Sequence, residues 1–243
     1  MDSTRKTSLV AGVLYLLTFI SIPTLFLYTQ VRGANYIVGP GPDTRVYIGV
    51  ILEVIVALAG IGTAVALYPV VKRQNEGVAL GFVGARTLEG TIIFAGAISL
   101  MAVVTLRQGG AGAGELVTGH ALIGLHDWTF TLGQSLMPAV NALLIGSLLY
   151  QSRLVPRVLP VVGLIGAPLL IASVVLTVFG VTDYGSAANG ALAIPIALWE
   201  FSLGVYLVVK GFRPAGLQKL GFVTAPADVP DVPQQVKELK RVA

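Results

Sequence analysis

Apolar residues run through this chain in long unbroken stretches, with polar residues collected into short connectors. A helix crosses the ~30 Å hydrocarbon core of a bilayer in about 20 apolar residues. Six stretches reach that length, over about 8–28, 46–71, 78–106, 128–150, 158–181 and 190–209. Barrel strands would be short and would alternate apolar with polar positions, which these runs do not. The pattern predicts an all-α, polytopic membrane helix bundle with six transmembrane helices.

The first run follows Arg5 and Lys6 as a signal peptide would. It is too long for one, and no small-x-small site ends it, so it reads as a retained helix. The connectors agree with the division. Residues 33–45 are dense in Gly and Pro, residues 72–77 and 151–157 are tight charged turns, and residues 180–190 are polar without Lys or Arg. Residues 115–127 are too few for a crossing and read as an interfacial or re-entrant segment, or as an extension of the fourth span. From residue 213 onward, Pro and charge dominate, and the sequence predicts a disordered cytoplasmic tail over 213–243.

Lys and Arg set orientation in the membrane. Arg5, Lys6, Lys72, Arg73, Arg153, Arg157, Lys210, Arg213, Lys219, Lys237, Lys240 and Arg241 fall on one side of this topology. Arg32, Arg45 and Arg107 fall on the other, and Arg86 lies within a span. The asymmetry predicts that both termini are cytoplasmic. A seventh crossing at residues 116–127 would move the basic tail to the other side.

Composition narrows the class further. Only 12% of residues are charged and 55% are hydrophobic, with a mean hydropathy of +0.83. These values exclude a soluble globular domain, and they exclude disorder except at the ends. The absence of cysteine excludes disulfide scaffolds, thiolate metal sites and cysteine nucleophiles. The net charge of +4 points to anionic lipid at the cytoplasmic face. No basic and aromatic cluster supports nucleic-acid binding.

Ionisable residues inside spans are costly and mark a functional interior by default. Glu53 lies in the second span, Arg86 and Glu89 in the third, and Glu200 near the middle of the sixth. Arg86 and Glu89 are three residues apart, share a helix face and can pair. One arginine cannot neutralise three carboxylates, so a cavity shared by all three predicts at least one protonated glutamate. In the fourth helix His120, Asp127, Gln134 and Asn141 recur every seven residues, with Thr131 and Pro138 between them. A seven-residue step drifts only ~20°, so they form one polar stripe. Such a stripe is either hydrogen-bonding glue between helices or one wall of a polar pocket. Pro138 is positioned to kink the helix. Small residues at Ala57, Gly60 and Ala64, at Gly163 and Gly166, and at Gly204 predict close packing beside the acidic positions.

Other signals are weaker. His120, His126 and Asp127 are too few, and wrongly spaced, for a catalytic zinc motif. Neither a metal nor a cofactor is predicted. The run at 109–114 is glycine-rich but lacks the Lys-Ser/Thr of a phosphate loop. Glu89 and Glu200 each fall in the third helix of their half, but the halves share no residue pattern of a transporter repeat.

The start AGVLYLLTFI (11–20), the core GARTLEG (84–90) and the ending ALWEFSLGVYLVVKGF (197–212) resemble the bacterial multipass proteins known as domain of unknown function 4386. Arg86, Glu89 and Glu200 fall inside the matching stretches. The resemblance implies a protein of the bacterial cytoplasmic membrane and supplies no substrate. Three readings stay open. The first is a polar intramembrane pocket centred on Arg86, Glu89 and Glu200, with Glu53, Asp127, Gln134 and Asn141 as further candidates, which binds or translocates a small amphiphile or proton. The second is an intramembrane enzyme on a lipid or isoprenoid with a glutamic general acid. The third is a structural or accessory subunit whose protein partner the sequence does not name.

Overall fold

A computed structural model describes residues 3–33, 36–110, 112 and 114–222. All regular structure among them is helical. Six helices are long and apolar enough to cross a bilayer: α1 (Ser3–Arg32), α2 (Thr44–Val71), α3 (Glu76–Gln108), α4 (Glu115–Ser152), α5 (Val158–Val178) and α6 (Ala187–Val209). A short α7 (Pro214–Lys219) follows. The chain is a multi-pass membrane protein.

The helices form a closed ring. Each packs on its neighbour in sequence, and α6 returns to pack on α1. Without a hydrophobic drive between helices in lipid, small residues let the backbones approach. Gly12 of α1 meets the backbone of Gly204 on α6, so a side chain at Gly12 would collide with α6, and one at Gly204 would crowd Tyr15 and Leu16 of α1. Gly163 of α5 seats the indole of Trp199, a fully buried residue of α6.

Two helices depart from regular α geometry. Helix α1 is α-helical over Ser3–Leu17, passes through a 3₁₀ turn at Thr18–Ser21, and resumes beyond Pro23 as short turns to Arg32. Helix α4 runs unbroken from Glu115 to Ser152, so residues 115–127 are helical and continuous with the fourth helix. It does so through a π turn at Phe130–Leu136, directly before Pro138. In α geometry a proline ring clashes with the carbonyl four residues back, and the wider π turn relieves that clash.

The two ends of the ring differ. Arg5 donates to the carbonyls of Leu207 and Val208, so the start and finish of the bundle share one end. Helix α7 folds across the turns of that end, with Leu217 and Leu220 buried, Arg73 donating to the Leu220 carbonyl, and Lys219 to that of Gln151. The tail expected to be disordered from residue 213 therefore begins with packed structure, because Leu217, Leu220 and Phe222 give it an apolar face. Residues 223–243 of that tail lie outside the described residues. At the far end Arg107 binds Asp43 and the carbonyls of Gly39 and Gly41, clamping the connector before α2 onto the end of α3. Tyr36 and Gln108 also donate to the Asp43 carboxylate.

Candidate functional site

Two ionic clusters occupy the axis of the ring at different heights. The deeper one centres on Arg86, whose residue is 3% exposed. Its Nη1 donates to both oxygens of Glu89, at 3.2 and 2.9 Å, and its Nη2 donates to Oε1 of Glu200 at 2.7 Å. Asn141 Nδ2 donates to Glu89 Oε2 at 2.7 Å. The guanidinium also lies over the rings of Tyr15 and Phe82. The third, fourth and sixth helices thus meet in one network, with one cation between two carboxylates.

The second cluster lies nearer the far end. Glu53, 1% exposed, has Oε1 at 3.3 Å from His126 Nε2 and accepts from Gln134 Nε2 at 3.3 Å. The other ring nitrogen of His126 lies 3.5 Å from Asp127 Oδ1. Asp127 is held by Arg32 of α1 at 2.5 Å, and the Arg32 guanidinium lies over the Tyr184 ring. Tyr28 packs edge-on against His126. Burial pushes the Tyr184 phenol above its usual range, against the opposing pull of Arg32.

Between the clusters lies a cavity of about 370 Å³ to which all six helices contribute. Its deep end holds Arg86, Glu89 and Glu200, and Gln134 brings the second cluster to its wall. Leu170, Val174, Ile196 and Phe130 supply apolar surface, while Ser173 and Asn189 place polar groups toward the far end. Ile22 and Leu25 of α1, and Ala197 of α6, line the cavity and are also exposed, so it opens sideways between α1 and α6. Below that opening Phe19 and Phe201 stack edge-on and close the seam. Toward the basic end Tyr15, Phe82, Trp199 and Leu203 are fully buried.

Of the predicted residues, Arg86, Glu89, Glu200 and Asn141 come together in one network. Glu53, Asp127 and Gln134 join the other cluster, so the three glutamates do not share a single ionic contact. His120 is exposed and leaves the stripe. The residue that takes its place is His126, which the sequence offered only as a metal ligand of unsuitable spacing and which is out of step with Gln134 in a regular α-helix. The π turn explains this. It absorbs one extra residue, so positions eight apart across it align as positions seven apart do in an α-helix. His126 and Gln134 consequently bond the same oxygen of Glu53. Tyr28 and Tyr15 carry no signal in the sequence, and Arg32 reads there only as a loop charge that sets topology, because all three sit in or beside the irregular part of α1. Among the described residues no group of three His, Asp or Glu side chains is placed to hold a metal ion.

The family model described as Domain of unknown function (DUF4386) matches residues 10–211. No curated protein and no solved structure matches the chain.

Proposed function

Because the chain belongs to the DUF4386 family, whose description assigns no activity, we propose a function from the chemistry of the cavity. The protein binds a small amphiphile that enters sideways from the lipid phase. The polar head rests on the Arg86–Glu89–Glu200 network, and the apolar part lies along Phe130, Leu170, Val174 and Ile196 toward the lateral opening. The observation that carries this reading is the combination of an ionic floor, apolar walls and exposed lips in one mid-bundle cavity. Its volume lies in the range of small-molecule sites, ~300–1,000 Å³.

The charge balance selects the head. Two carboxylates face one guanidinium, which favours a head that carries positive charge or donates hydrogen bonds. Buried packing below the network leaves the cavity closed toward the basic end, so binding from the lipid side fits better than passage through the bundle. The basic end faces the cytoplasm of a bacterial inner membrane in this reading, against anionic lipid.

Mass spectrometry of the protein released gently from membranes tests the proposal. A retained amphiphile is expected from the wild type. Glu200→Gln should lose it without loss of fold, since Glu200 makes one contact to Arg86 and Glu89 makes two. An empty wild-type protein that also fails to quench a fluorescent long-chain alkylamine in bilayers overturns the reading.

A further inference from the structure

The second cluster is more than the cavity needs for packing. A single imidazole lies between two carboxylates from different helices, His126 Nε2 at 3.3 Å from Glu53 and Nδ1 at 3.5 Å from Asp127. Glu53 is 1% exposed, its Oε2 makes no hydrogen bond, and the Tyr28 phenol of α1, also unbonded, is the neighbouring group that acts on it. An ionised carboxylate oxygen buried in that way is expensive, whereas a carboxylic acid or a shared proton relieves the cost. Asp127 is partly exposed, and it lines a second hollow of about 290 Å³ at the far end, with Trp128, Thr182, Asp183 and Tyr184. On the other side Gln134 joins Glu53 to the wall of the main cavity. Water at the far end, Asp127, His126, Glu53 and the cavity therefore form an ordered series.

We propose that Glu53 is a proton-binding site of the cavity, loaded from the far end of the bundle through His126. A proton arriving by way of Asp127 adds to Nδ1 while the Nε2 proton passes to Glu53 Oε1. One N–H bond forms and one breaks, and the ring is left as the other neutral tautomer. Turning of the ring, or return of the proton, resets it. Arg32 and Asp127 hold the ring in this orientation. The groups facing His126 are Glu53 from α2, Asp127 from α4, and Tyr28 and Arg32 from α1, the latter acting through Asp127. Helix α3 faces it with Gly96, and Tyr184 of the α5–α6 connector reaches the cluster through Arg32. This inference deepens the proposed function, since a protonated Glu53 changes the charge at the cavity wall. It rests on that reading only for the use made of the proton.

The test follows the proton itself and needs no ligand. Infrared spectra of the whole protein in bilayers, compared with Glu53→Gln, identify the Glu53 carboxyl band. Transfer to D₂O then times its exchange. Wild type should show the band with fast exchange, and His126→Gln should slow exchange about a hundredfold, as loss of a positioned proton carrier does. Asp127→Asn should also slow it, and it guards against a folding defect in the histidine variant. A Glu53 band that never appears, or exchange unchanged in both folded variants, overturns the relay. Either result leaves alkylamine binding in the main cavity to be judged by its own assay.

Discussion

Replacing Arg86 with Met isolates the energetics of the deep network. The substitution keeps an unbranched apolar stem and removes a guanidinium held at 2.9 Å from Glu89 and 2.7 Å from Glu200. With charge centres near 4 Å and an effective dielectric of ~20, each attraction is about 4 kcal/mol. Burying the guanidinium costs several kcal/mol, which the variant no longer bears, so the net loss is smaller than the two attractions together. Stranding the carboxylates should lower stability by about 3–5 kcal/mol. Two further results follow. Acidification should restore part of the loss, because protonating a stranded carboxylate removes its uncompensated charge. Arg86→Met combined with Glu89→Gln and Glu200→Gln should recover most of it, since replacing a whole buried ionic group is often near neutral. Reversible unfolding in mixed micelles measures all of these. A single variant within about 1 kcal/mol of wild type, or a triple variant no more stable than the single, would refute the argument.

Other perturbations address the fold around the site. At the far end, burial pushes the Asp43 carboxyl up, but hydrogen bonds from Tyr36, Gln108 and Arg107 outweigh it and hold it below its usual range. The stability this clamp contributes is therefore present above ~3.9 and is lost as pH falls through the lowered value, so Asp43→Asn should abolish acid sensitivity of proteolysis in the connector. Burial and the bond to Asp43 push the Tyr36 phenol up to about 12, and ultraviolet titration should find it ionising late. Gly163→Ala places a methyl group in the Trp199 ring and should cost about 1–3 kcal/mol, with a shift in tryptophan emission. Deleting Leu132, 40% exposed in the π turn, should leave both halves of α4 in register, whereas deleting the comparably exposed Leu143 should not. Equal loss of folded protein in the two deletions, read by gel filtration, would contradict the alignment argument.

The spans were legible because membrane crossing imposes a length and a hydropathy that need no tertiary information. Arg86 and Glu89 were legible as a pair because three residues of one helix fix their geometry. Glu200 joining them was an inference from cost, since a buried charge requires a partner, and the sequence offered few. The stripe on α4 was half legible. Its lower part, Gln134 and Asn141, keeps the seven-residue rule, but the π turn changes the rule above Gln134. Pro138 was visible as a source of irregularity, yet nothing local distinguishes a kink from a widened turn. The choice depends on whether neighbouring side chains accept the extra residue, and here Glu53 does so by bonding both His126 and Gln134.

The irregular backbone is itself an argument about function. At membrane depth, departures from α geometry are tolerated only where they are buried in protein or line a cavity. The 3₁₀ turn of α1 supplies Thr18, Phe19 and Ser21 to the cavity, and the π turn of α4 supplies Phe130, Thr131, Gln134 and Ser135. Local hydroxyls bond carbonyls in or beside these turns. Thr18 donates to Tyr15, Ser21 to Thr18, Thr24 to Ser21, and Thr131 to Asp127. Two helices from opposite parts of the sequence thus give up regular geometry at the same height, around the same space. Packing alone would favour straight helices and a filled centre. A ring that loosens two of its members at one level, and places its buried charges above and below that level, is the geometry that the proposed amphiphile site calls for. The same loosening sets the sideways opening, because α1 leaves α6 just beyond the Phe19–Phe201 contact. If the gap is the entrance to the proposed site, cross-linking α1 to α6 across it, between residues 22 and 197, should block alkylamine binding in protein that stays folded and, if anything, resists unfolding better; binding that survives the cross-link would refute the lateral entrance.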